Sequence, residues 1–130
     1  MDSIFSKIIK GDIACYKILE DEKYFSFLDI NPLAEGHTLV VPKNPIDDIF
    51  DLSDEELSGL FLFAKKIGKA IKKNFVCKKI GIAVIGIEVA HAHIHLVPIN
   101  GVNDIDFKKE KLKLTNEEFI EIVNKIKKSI

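Results

Sequence analysis

The chain contains no arginine: all 19 Lys+Arg positions are lysine, so no guanidinium fork can grip a phosphate through two parallel hydrogen bonds. Any anion must be held by imidazoles, ammonium groups or backbone amides. Cysteine is nearly as scarce. Cys15 and Cys77 are the 2 present, and they match neither a metal-ligand pair nor a disulfide framework, so they read as free thiols in a reducing cytoplasm. Net charge is also close to absent, at -1, which gives no electrostatic reason to expect nucleic acid or a membrane as partner. The stretch from Met1 to Ile13 carries Lys7 and Lys10 and no long apolar core, so it reads neither as a signal peptide nor as a membrane span. Repeats and low-complexity segments are missing too. What is present is 130 residues, 47% hydrophobic and 30% charged, read as a single soluble domain over 1–130 able to bury its own core.

Periodicity and punctuation supply the elements. Ser3 as cap, an apolar stripe of Ile4, Phe5, Ile8 and Ile9, and Gly11 as stop predict a short helix over 3–10. Residues 16–19 and 24–28 predict a hairpin around Glu20-Asp21-Glu22. Pro32 and Gly36 mark 29–36 as a loop, and 37–42 follows as a strand that His37 opens and Pro42 ends. A capping box from Ser53 to Glu56, then Leu57, Leu60, Phe61, Ala64, Ile67, Gly68 and Ile71 at helical spacing, predicts a long helix over 54–74. The apolar run 79–85, broken by Gly86-Ile87-Glu88, pairs antiparallel with a strand over about 89–99. A second capping box, Thr115 to Glu118, opens a final helix whose apolar face is Phe119, Ile122, Val123, Ile126 and Ile130, with Lys125, Lys127 and Lys128 as a solvated face near its end. This order implies an α+β domain with a mainly antiparallel sheet.

The chemistry concentrates in His91-Ala92-His93-Ile94-His95-Leu96-Val97. On a strand, side chains alternate, so the three imidazoles share one face while Ala92, Ile94 and Leu96 face the core. Three readings are open. Buried structural histidines would need every ring nitrogen paired, a cost with no packing gain over valine or leucine. A metal could take imidazole ligands, with Glu88 or His37 assisting, although neighbours on one strand face lie about 6.6 Å apart at the backbone. A neutral imidazole is also a nucleophile near pH 7, so His93 could attack phosphorus, with His95 and His37 donating to the phosphoryl oxygens and amides of 86–89 forming an anion-binding turn.

These residues resemble the histidine triad (HIT) family, whose signature His-φ-His-φ-His-φ-φ is met by 91–97. Two upstream stretches are also similar to it: Ile4-Phe5-Ser6-Lys7-Ile8-Ile9-Lys10-Gly11-Asp12-Ile13, and Phe27-Leu28-Asp29-Ile30-Asn31-Pro32 running on to Gly36-His37-Thr38-Leu39-Val40-Val41-Pro42-Lys43. The resemblance, which spans nearly the whole chain, is strongest to the small purine nucleoside phosphoramidate hydrolases and related nucleotidyl hydrolases. It implies a five-stranded antiparallel sheet with a long central helix, a short N-terminal helix and a C-terminal helix, usually in a homodimer. It implies attack by His93 at the α-phosphorus of a purine nucleotide conjugate, giving a covalent nucleotidyl-histidine that water cleaves, with His91, His95 and His37 in support. Asp29 would hold the ribose hydroxyls, Ile4, Phe5, Ile8, Ile13, Phe27 and Ile30 would sandwich the base, and Glu88 and Val89 would border the phosphate. A binding or sensing protein with little turnover, or a dinucleoside polyphosphate hydrolase, is the alternative.

The sequence departs from the family at several points. Some relatives hold a structural zinc through two cysteines and a histidine where this chain has Ser3, Ser6 and Asn44, so no metal and no cofactor is expected. Glu88 replaces the serine or glutamine that usually faces the leaving group, and its carboxylate would repel a second phosphate. The loop 85–88 is short, the asparagine expected on the preceding strand is missing, and Pro98-Ile99-Asn100 lacks the arginine of many relatives.

Overall fold

The computed structural model describes residues 3–130. Ser3 caps helix α1 (Ile4–Lys10) by accepting from the Ser6 amide, while Gly11, in the left-handed region at φ 86, donates to the Ile8 and Lys7 carbonyls. A residue with a Cβ is strained there, which is why glycine ends this helix. Strands β1 (Lys17–Glu20) and β2 (Tyr24–Leu28) form the hairpin, and β3 (Thr38–Pro42), α2 (Asp54–Asn74), β4 (Lys79–Ala83), β5 (Ile94–Ile99) and α3 (Asn116–Lys128) follow. All neighbours in the sheet, ordered β1-β2-β3-β5-β4, run antiparallel.

Alternation along the central strands divides the interior in two. Tyr24, Leu28, Val40, Ile94 and Leu96 face α2 and α3 in the larger core, whereas Phe25, Phe27, Leu39 and Val41 face α1 and pack with Phe5 and Ile8. Strands β2 and β3 are therefore covered on both faces, and every residue of both is buried. The register continues a row across the sheet: Phe27 opposes Leu39, and Leu39 opposes His95. Directly opposed residues project to the same side, so the fold sets an imidazole at the end of an apolar row that faces α1.

Local differences from the sequence reading have physical causes. Ser53 caps α2 through the Glu56 amide, but the return half of the box is not made, because both Glu56 carboxylate oxygens take the Asn44 side-chain amide at 3.2 Å. Phe61 leaves the apolar stripe of α2 and is exposed, while Phe63 and Ala70 are buried instead. The helix bears on the sheet on one side and on α3 on another, so its covered arc is wider than a single stripe. Ile130 lies beyond α3 and is exposed, whereas Phe119, Ile122, Val123 and Ile126 are buried.

Candidate active site

The histidine strand is shorter than its sequence pattern. Strand β5 begins at Ile94, so His91 and His93 stand on its approach, where the His91 amide bonds to the Val89 carbonyl and the Ala92 amide to the Ile46 carbonyl. Those bonds go to a turn and a loop rather than to a sheet neighbour, which is why pairing starts later. The alternation of side chains persists through the approach: Ala92, Ile94 and Leu96 enter the helix-side core, and the imidazoles turn to the other side.

Hydrogen bonding makes the four imidazoles unequal. His93 Nδ1 lies 2.7 Å from the His91 carbonyl; a carbonyl only accepts, so the proton sits on Nδ1 and the lone pair on Nε2. His91 Nε2 lies 2.7 Å from the Pro42 carbonyl, which by the same logic makes its Nδ1 the acceptor for the Ser3 hydroxyl at 2.8 Å. The Leu33 amide donates to His37 Nδ1 at 3.0 Å, leaving the proton on His37 Nε2, which faces His95 Nδ1 at 3.0 Å. His95 Nδ1 is thereby the acceptor, and its Nε2 carries hydrogen. The result is one lone pair on His93 beside one donor on His95, with the two ring centroids 4.9 Å apart.

Burial keeps all four rings neutral at pH 7. It pushes His37 down to about 3, with help from facing His95 and from the charge of Lys111, and His95 down to about 4, with help from His93. His91 and His93 are lowered as well, again chiefly by burial. Asp29 is raised by burial, against the Asn31 amide that its carboxylate accepts.

His93 and His95 open onto a cavity of about 640 Å³ that Ile4, Phe5, Ile8, Ile13, Phe27, Asp29, Ile30, Glu88 and Val89 also line, within the size range of small-molecule sites. Phe5, Ile8 and Phe27 are buried floor, whereas Ile4, Ile13 and Ile30 stay exposed at its edge. His91 and His37 do not reach the cavity; they stand behind His93 and His95. Leu39, Cys15, Phe107 and Lys111 also line it. Leu39 follows from strand alternation opposite His95, but nothing local in a lysine-rich tail marks Phe107 or Lys111. Phe107 rests edge-on against His95, centroids 4.7 Å apart, and against His37 at 6.3 Å. Lys111 holds that segment by donating to the Phe107 and Lys109 carbonyls at 2.5 and 2.9 Å, and the Leu112 amide ties it to Pro32. Among the described residues, Lys111 is the one lysine lining the cavity.

Neither candidate metal position suits its donors. Ligand atoms of Asp29, His37 and His95 lie within 4.8 Å of one another, but an ion there needs the His37 Nε2 lone pair, and the Leu33 amide on Nδ1 requires that nitrogen to carry hydrogen. Around His91, hydroxyls of Ser3 and Ser6 stand in place of thiolates, and both ring nitrogens are already engaged, so zinc is poorly served there too. Among the described residues no helix is long and apolar enough to cross a membrane.

A model of the HIT domain family matches residues 10–102. The chain is 36% identical to a HIT-like protein of Borreliella burgdorferi, covering 99% of each. It is 38% identical to an adenosine 5'-monophosphoramidase of Schizosaccharomyces pombe, over 75% of this chain and 74% of that one. The crystal structure of a Hit-like protein of Bartonella henselae superposes with a TM-score of 0.84 at 30% identity, covering 99% of this chain and 97% of the other.

Proposed function

The chain belongs to the histidine triad (HIT) family, and from that premise we propose that it hydrolyses a purine nucleoside phosphoramidate through a covalent nucleotidyl-His93. The observation that carries this reading is the assigned tautomer of His93: its Nδ1–H is held by the His91 carbonyl, which frees Nε2 for attack and keeps an acceptor in place for the positive charge that develops on the ring. Nε2 forms a bond to the α-phosphorus, and the P–N bond of the substrate breaks with its electron pair leaving on the amine, which takes a proton from solvent. His95 Nε2–H donates to a phosphoryl oxygen. Water then attacks phosphorus, the bond to His93 breaks with its pair returning to Nε2, and the proton of that water goes to solvent. Asp29, with one oxygen on the Asn31 amide and the other 3.5 Å from His37 Nε2, is suited to accept from ribose hydroxyls, and the apolar lining from Ile4 to Ile30 suits a base. Mixing the protein with adenosine 5'-phosphoramidate and quenching within the first turnover tests the reading: a mass increase of one nucleotidyl group at His93 supports it, and substrate bound without any adduct is the outcome of the alternative, a sensing protein.

Glu88 decides the leaving group in this scheme. With neutral imidazoles and one lysine in the lining, its exposed carboxylate favours an amine and disfavours a polyphosphate tail. Glu88→Gln is expected to raise kcat/KM for a dinucleoside polyphosphate relative to the phosphoramidate by roughly threefold to tenfold at low salt, with the gain shrinking as salt screens it. An unchanged ratio would remove Glu88 from specificity.

The homodimer is part of the same proposal. Strand β4 is a sheet edge, Ile82 on it and Val84 just beyond it are exposed, and so are Phe61 and Leu62 on α2; a second copy pairing on this face would cover an unpaired strand and an apolar patch together. Ile82→Lys is expected to turn a dimer into a monomer by sedimentation, and a wild type that is monomeric at high micromolar concentration would exclude the surface.

A further inference from the structure

Ser3 belongs to two structures at once. As the cap of α1, its hydroxyl oxygen accepts from the Ser6 amide at 3.1 Å, and its own amide faces the Ser6 hydroxyl at 3.4 Å. The capping bond uses a lone pair of Ser3 Oγ and leaves its hydrogen, which points at His91 Nδ1 across 2.8 Å. No other hydrogen-bond partner of that nitrogen is found among the described residues, and His91 is wholly buried. The alternative tautomer would set the His91 Nε2 lone pair against the Pro42 carbonyl oxygen, so the ring needs a donor at Nδ1 to stay where it is. Its position matters because the carbonyl of the same residue holds His93 Nδ1–H.

The helix that carries Ser3 also forms one wall of the cavity. Ile4, Phe5 and Ile8 line it, and the Phe5 ring meets His93 edge-on with centroids 4.9 Å apart and His91 at 5.9 Å. At 7 residues, α1 is too short to be stable by itself and depends on what packs against it. We propose that Ser3 is a positioning residue: through His91 it couples the cavity wall on α1 to the orientation of His93, so that a base seated on that wall raises the turnover rate as well as the affinity. This rests on His93 being the nucleophile, and it goes further by making base contact a determinant of kcat. Binding energy from a remote part of the substrate is then used at the reacting centre.

The experiment measures kcat and KM for adenosine 5'-phosphoramidate and for the matching ribosyl phosphoramidate that lacks the base, in the wild type and in Ser3→Ala, Ser3→Thr and Ser6→Ala. In the wild type, loss of the base is expected to lower kcat about tenfold, equivalent to one step of about 1.4 kcal/mol. In Ser3→Ala, kcat with the base is already down by about that factor, and removing the base then changes mainly KM, the non-additivity expected of coupled groups. Ser3→Thr keeps the hydroxyl and restores both values. Ser6→Ala removes the return contact of the cap but leaves the His91 donor, so its kcat stays within about twofold of wild type, and a loss as large as that of Ser3→Ala would overturn the role of the hydroxyl at His91. Imidazole 15N spectra of the ligand-free protein add a readout independent of turnover: the His91 Nδ1 signal loses its hydrogen-bonded position in Ser3→Ala alone. If Ser3→Ala does not fold, Ser3→Gly, a milder loss of the cap that also lacks the hydroxyl, takes its place. Equal base dependence of kcat in wild type and Ser3→Ala overturns the coupling while leaving the phosphoramidase reading intact. No turnover by the wild type overturns both.

Discussion

His93→Ala is expected to lower the hydrolysis of a nucleoside phosphoramidate by about 10⁴-fold or more, the scale of losing a catalytic nucleophile, and to abolish the nucleotidyl adduct while nucleotide binding persists. Binding persists because the apolar lining and Asp29 are untouched, and the loss of the His93 ring against Phe5 costs packing only at a site already open to the cavity. Stopped assays with intact-mass readout check both parts, and a variant that turns over within tenfold of wild type would end the assignment of His93. The pH dependence should be as distinctive. An imidazolium cannot attack, and burial holds the His93 pKa below its ordinary 6.5. The rate is therefore expected to stay level as pH falls from 8 through 6.5 and to decline only on the acid side of that value. A decline centred at 6.5 or above would mean that the titrating group is not a buried imidazole.

Stability should follow the same protons with a larger swing. His37 is fully buried and pushed down to about 3, and His95 down to about 4, whereas in the unfolded chain both titrate near 6.5. Between these values the unfolded state binds more protons than the folded one, so stability rises with pH across the window, is complete above about 6.5, and is lost as pH falls towards the folded values. The two rings share one hydrogen bond and titrate together, so their joint contribution is on the order of 3 to 5 kcal/mol between pH 6.5 and pH 4. That is a large part of the stability of an ordinary domain. Urea titrations at pH 4 to 8 are expected to show a midpoint that is flat at the top of the range and drops steeply below pH 6. His37→Gln, which can still accept from the Leu33 amide and donate to His95, should reduce that slope by about one proton. A wild-type midpoint that does not change from pH 8 down to 4.5 would contradict the burial argument.

The elements most legible in the sequence are those whose boundaries are set locally. Helix α2 runs Asp54–Asn74, as the cap and periodicity indicate, and α3 opens with Thr115 and Glu118 bonding each other's backbone amides. The extent of the histidine strand is less legible, because the alternation that defines it continues back through His93 to His91, while the His91 and Ala92 amides bond outside the sheet. Alternation reports which face a side chain takes, and says nothing about where a neighbouring strand begins to pair.

The sequence by itself determined that four imidazoles would gather, three of them on one face, in a chain with no arginine to do their work. Its likeness to the histidine triad family names His93 as the nucleophile, but it could not place the protons on the rings. The protons of His91 and His95 are assigned by partners distant along the chain: Ser3 and Pro42 lie 88 and 49 residues from His91, and His37 lies 58 residues from His95. Tautomers are set by which donors and acceptors meet in space, and only the tertiary structure brings those groups together.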